Sequence, residues 1–91
     1  MSSNINKLTL ESGSTGEVAD GKLFITYSYD SGFIFDSSRI YVTVGAIGGE
    51  NIRKEMIIGD VIRYKASFGT YEIRLLSSKG ETADFSIAKI E

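Results

Sequence analysis

From Lys22 onward the chain alternates between apolar and polar residues. In KLFITYSY, Leu23, Ile25, Tyr27 and Tyr29 fall on one side, and Lys22, Thr26 and Ser28 on the other, with Phe24 out of step. RIYVTVGAIG, from Arg39, sets Ile40, Val42, Val44 and Ala46 against Tyr41, Thr43 and Ile47. VIRYKA sets Ile62, Tyr64 and Ala66 against Arg63 and Lys65. YEIRLLS sets Tyr71, Ile73 and Leu75 against Glu72 and Arg74, and TADFSIAKI sets Ala83, Phe85 and Ile87 against Asp84, Ser86 and Ala88. A period of two places successive side chains on opposite faces of a strand, so each segment predicts a strand with one face buried. The residues are rich in β-branched and aromatic types, which suit a half-buried pleated surface.

Turn residues separate these segments at short intervals. Asp20-Gly21 predicts a type I′ hairpin between a short strand at Glu17–Ala19 and the strand from Lys22. Gly48-Gly49, Gly59-Asp60, the Ser67–Thr70 connection with Gly69, and Lys79-Gly80 mark the later turns. ESGSTG, at Glu11–Gly16, reads as a loop. Asn51–Ile58, NIRKEMII, reads as a strand with Ile52, Lys54, Met56 and Ile58 on one face, although Lys54 interrupts the apolar row. It is short for a helix and turn signals bound it on both sides. The whole predicts an all-β protein: a small antiparallel β-sandwich, or partly open barrel, of seven to eight short strands with no substantial helix.

The 91 residues are the length of one domain, 1–91, with residues 1–4 read as a disordered lead-in. A domain of this size buries roughly 60–65% of the surface its unfolded chain exposes, so one modest core is expected. The charges nearly cancel, with 10 Lys and Arg against 12 Asp and Glu, and are interspersed. Nucleic-acid and anionic-membrane binding both draw on concentrated basic patches, so neither partner is expected. The longest apolar runs are far too short to cross a bilayer, and MSSNINKLTL has no signal-peptide pattern.

Cys, His, Trp and Pro are absent. Without Cys and His the chain lacks the usual thiolate nucleophile, the usual general base and the usual transition-metal ligands. No enzyme activity and no cofactor are expected. The lack of Cys in so small a domain points to a reducing compartment and a cytoplasmic protein. Asp30, Ser31, Asp36, Ser37 and Ser38, with Asp20 near them, form an oxygen-rich rim. They lack the spacing of a calcium loop, and turn chemistry accounts for them.

The feature that the strand pattern does not absorb is DSGFIFDSSR, at Asp30–Arg39. Phe33, Ile34 and Phe35 stand in a row between turn residues. A pleated segment cannot bury all three on one face. These residues are therefore read as partner-binding, together with Tyr41, which lies on the face opposite the Ile40/Val42/Val44 row. The final strand, Ala83–Ile90, with only Asp84 and Lys89 as interior charges, reads as an edge able to pair with another chain. The function expected is a non-catalytic protein-interaction module whose first partner is a second copy of itself. The alternative is a small-molecule or carbohydrate binder that uses exposed tyrosines.

Overall fold

The computed structural model describes residues 5–30 and 39–90. The expected lead-in at residues 1–4, and Phe33, Ile34 and Phe35, lie outside the described residues. Eight strands follow in order: β1 (Ile5–Glu11), β2 (Thr15–Val18), β3 (Leu23–Asp30), β4 (Arg39–Ala46), β5 (Ile52–Met56), β6 (Val61–Ala66), β7 (Gly69–Ser78) and β8 (Thr82–Lys89). They form two four-stranded antiparallel sheets, β1-β8-β7-β6 and β2-β3-β4-β5, and the described residues contain no helix. The β-sandwich expected from the alternation is the architecture found.

Every pairing joins strands adjacent in sequence, except β1 with β8. The topology is therefore an up-and-down ring opened at two seams, one between β1 and β2 and one between β5 and β6. Chain crossings between the sheets occur only at those seams.

The inward rows meet between the sheets. Leu23, Ile25 and Tyr27 of β3 and Val42, Val44 and Ala46 of β4 face Tyr71, Ile73 and Leu75 of β7 and Ala83, Phe85 and Ile87 of β8. These four central strands supply most of the core because each has a neighbour on both sides. Leu10, Met56, Ile62 and Tyr64 add one or two residues from each of the outer strands β1, β5 and β6. Tyr27 and Phe85 meet edge to face with ring centres 6.0 Å apart, a favoured aromatic geometry. Phe24, out of step in the sequence, lies on the outer face directly opposite Gly45, over which the Asn51 side chain packs.

Several boundaries differ from expectation. The segment β1, with only Leu8 and Leu10 as an apolar pair, pairs with β8 along its length and completes the eight strands. The second strand begins at Thr15 rather than Glu17. Its Thr15 hydroxyl meets that of Thr26 at 2.8 Å, and the loop before it narrows to Ser12–Ser14. The hairpin turns at Asp20-Gly21 as expected, but the connection is longer and runs Ala19–Lys22, between Val18 and Leu23. Ala19, Asp20 and Gly21 all have positive φ, at 56°, 59° and 80°, and Lys22 N–H donates to the Ala19 carbonyl. The Asn51–Ile58 segment is a strand only to Met56; Ile57 and Ile58 belong to the turn that follows. The final strand is not an edge. It lies between β1 and β7, and its backbone is engaged on both sides. Sequence order and position in a sheet are independent here, because the first strand folds back onto the last.

Candidate interaction surface

Asp30 and Arg39, which bracket residues 31–38, face each other across β3 and β4. The next inward pair along β4 and β5 is Ile40 with Met56, so the turn after Met56 lies at the same end of the sheet. That turn carries Ile57 and Ile58, which are 68% and 59% exposed. Arg39, Ile40, Glu55, Met56, Ile57 and Ile58 line a cleft of about 250 Å³ there. The turn is held from behind. Gly59 N–H donates to the Leu75 carbonyl and Leu75 N–H to the Asp60 carbonyl, and Ile57 N–H donates to Asp60 Oδ2. Asp60 caps the turn and both isoleucines project outward. A residue inserted at Leu76 shifts the β7–β8 register just beyond this point and leaves Leu76 38% exposed.

Of the residues expected to bind a partner, Tyr41 alone is described. It is half-buried on the outer face of β4, as its parity predicts. Arg53, on β5, lies over its ring, 4.3 Å from the centroid. Arg39, on the same face, is held above its ordinary pKa, chiefly through the Tyr41 hydroxyl and then the charges of Tyr41 and Glu55. One face of the ring is thus already occupied by the protein's own cation.

The remaining tyrosines divide by role. Tyr27, Tyr64 and Tyr71 are buried, so their rings are closed to ligands, and Tyr29 is half-buried. Tyr27 crosses from β3 to the opposite sheet, where its hydroxyl meets Ser78 Oγ at 2.9 Å and donates to the Gly80 carbonyl. Tyr64 crosses the other way, from β6, and its hydroxyl donates to the Glu50 carbonyl. Tyr27 and Tyr64 thus fasten the two sheets rather than face a ligand.

Asp20 is not part of an oxygen-rich rim with Asp30. The two stand beyond and at opposite ends of β3, whose eight residues span about 23 Å at roughly 3.3 Å per residue. Among the described residues no group of three or more carboxylates converges as a metal site. No helix among them is long and apolar enough to cross a membrane.

Ile57 and Ile58 went unassigned in the sequence because they read as the end of a strand. The signal that locates them is Gly59-Asp60, which starts the turn two residues earlier than the apolar run suggests. Searches against protein-family models, curated proteins and solved structures found no match to this chain.

Proposed function

We propose that this protein is a non-catalytic interaction module that self-associates through the end of the sandwich bearing the Ser31–Ser38 connection. The observation that carries this reading is the exposed Ile57-Ile58 pair beside Arg39, where the chain returns from Phe33-Ile34-Phe35. The exposed isoleucines have Arg39 and Glu55 as a polar border. An apolar centre with a charged rim is the usual anatomy of a protein interface, and exposed apolar clusters are otherwise avoided. The occupied face of Tyr41 and the burial of Tyr27, Tyr64 and Tyr71 weigh against the ligand-binding alternative. The chain's lack of cysteine fits a cytoplasmic setting.

Light scattering on a size-exclusion column, over a range of loading concentrations, tests this. Wild type is compared with Ile57→Ser, Ile58→Ser and with Phe33→Ser, Phe35→Ser, and circular dichroism reports folding. The reading expects a dimer in wild type and folded monomers in both double variants. A wild type that stays monomeric at every concentration removes the self-association.

A further inference from the structure

A sandwich with two open seams has four edge strands, and natural edges are protected from stray pairing. Three of the four carry a visible device. Strand β2 has only four residues and lies against β1, where Gly16 packs on Leu8 and Leu10. Strand β1 is covered along that same contact, and its turn is bonded to both sheets: Ser12 N–H donates to the Glu81 carbonyl and Gly13 N–H to the Tyr27 carbonyl. Strand β5 reads IRKEM, and its central Lys54 sits on the inward row opposite Val42, which places a charge where an added strand would need an apolar residue.

Strand β6 has none of these. Its six residues include neither Gly nor Pro, and its inward row is Ile62, Tyr64 and Ala66. Among the described residues it pairs with β7 and with no other strand. Beside its second half lies a cleft of about 340 Å³, whose apolar lining includes Ala46, Ile47, Ile52, Tyr64 and Ala66. Space, an apolar floor and an unpaired backbone coincide there. These are the requirements for adding an extended segment to a sheet edge.

The outward row of β6 specifies the occupant. Arg63 and Lys65 are both exposed. On the β7 side Arg63 faces a carboxylate, Glu72, at 2.7 Å, while Lys65 faces Thr70. On the free side a strand in register would set its own outward residues opposite these two cations, and opposite charges there stabilise the pair. A second copy pairing edge to edge about a two-fold axis at Arg63, Tyr64 or Lys65 would instead set cation against cation. Directly opposed like charges are unfavourable, so this edge rejects its own copy. Across the cleft β5 adds Arg53 and Lys54, with Glu55 and the loop residue Glu50 as the nearby carboxylates.

We propose that the free edge of β6 binds an extended segment of a different protein, one that alternates carboxylate and apolar side chains. The partner's main chain pairs with Val61–Ala66. Its apolar row continues Ile62, Tyr64 and Ala66 over the cleft, and its acidic row meets Arg63 and Lys65. The cleft beside the second half of β6 shares no lining residue with the one at the Ile57-Ile58 turn, and it serves a different class of partner.

The test uses the full chain carrying Ile57→Ser, Ile58→Ser, so that self-association at the other end does not contribute. The probe is a capped octapeptide of alternating Val and Glu, with a Val and Lys peptide as control. Amide resonances are followed during titration at low salt. Expected is saturable binding of the Glu peptide, with the largest shifts in the β6 amides and weaker or absent binding of the Lys peptide. Lys65→Glu should weaken the Glu peptide on the order of three- to ten-fold, the effect of reversing one exposed cross-strand charge. No binding of the Glu peptide at millimolar concentration overturns the proposal, as does equal binding of the two peptides. Concentration-dependent shifts of the β6 amides without peptide would transfer the edge to a second copy and overturn it equally. None of these outcomes depends on whether the wild type dimerises through Ile57 and Ile58.

Discussion

The two seams of this sandwich are built on opposite principles. At the β1–β2 seam the sheets are sewn together. Ser12 and Gly13 bond to Glu81 in one sheet and Tyr27 in the other, Ser12 Oγ accepts from Tyr29 N–H, and the Tyr27 hydroxyl reaches back to Ser78 and Gly80. Gly16 is small enough to let β2 press on Leu8 and Leu10. At the β5–β6 seam, among the described residues, the side-chain bonds are those of the Tyr64 hydroxyl to Glu50 and of Asp60 within the connecting turn, and the flanking Ile47, Ile52, Ile57 and Ile58 are all exposed. One seam stabilises the fold; the other leaves backbone and apolar surface available. A chain this small has little apolar area to spare, so leaving one seam open is a cost that binding can offset.

The sharpest way to break this comparison is to truncate one side chain at each seam. Tyr27→Ala removes a wholly buried ring packed on Phe85, and should destabilise by about 3–5 kcal/mol. Ile52→Ala, at the open seam where 39% of the residue is already exposed, should cost about 1 kcal/mol or less. Urea unfolding with a common m-value reads both. Similar losses at the two positions would mean that the β5–β6 seam is as structural as its counterpart.

A finer version removes only the hydroxyls. Tyr27→Phe leaves the half-buried Gly80 carbonyl and Ser78 Oγ without the hydroxyl that joins them, for an expected loss of about 1–2 kcal/mol. Tyr64→Phe frees the carbonyl of Glu50, which is on an exposed loop and can turn to water, and should cost no more than about 1 kcal/mol. Gly16→Ala tests the contact itself. A methyl group there would come within 3 Å of the Leu8 and Leu10 side-chain tips. Because those tips can rotate, the expected loss is about 1 kcal/mol, at the low end for overpacking.

The sequence revealed faces but not neighbours. Alternation assigned Ile25, Val44, Ile73 and Phe85 to the core because side-chain parity is local and needs only the pleat. It could not reveal that β8 is central, because which strand lies beside Phe85 is decided by Leu8, 77 positions away in the chain. Lys54 looked like an error in an inward row and is a property of an edge, where the row overhangs the core and meets water. The candidate surface was half legible. Phe33-Ile34-Phe35 stood out by composition, whereas Ile57 and Ile58 did so only once Gly59-Asp60 closed the turn beneath them. The open edge of β6 had no signature at all. Ile62, Tyr64 and Ala66 alternate with Arg63 and Lys65 as they would in any half-buried strand, and what sets them apart is that, among the described residues, no strand but β7 pairs with β6.

The smallest expected effect concerns how acid reaches the two seams. On the outer face of the β1-β8-β7 sheet, Asp84 accepts from Thr9 Oγ1 at 2.6 Å and from Ser77 Oγ at 2.9 Å, joining three strands on the sewn side. The Thr9 bond, and then the Ser77 bond, hold its carboxyl below the ordinary carboxylate range. A carboxyl with a lowered folded pKa contributes stability that is present above its unfolded value, near 3.9, and lost as pH falls through the folded value below that. The bonds that Asp84 accepts come from β1 and β7, and none of them reaches β6. Acid should therefore loosen β1 from β8 before it affects the β5–β6 seam. Asp84→Asn should be less stable than wild type at pH 6, with a urea midpoint that converges on the wild-type midpoint as pH drops below about 4. Amide exchange at Thr9 and Leu10 should rise over the same interval while exchange at Ile62 follows only the global change. If the two midpoints keep a constant separation down to pH 3, the contribution of Asp84 is geometric rather than ionic, and the sewn seam owes nothing to its charge.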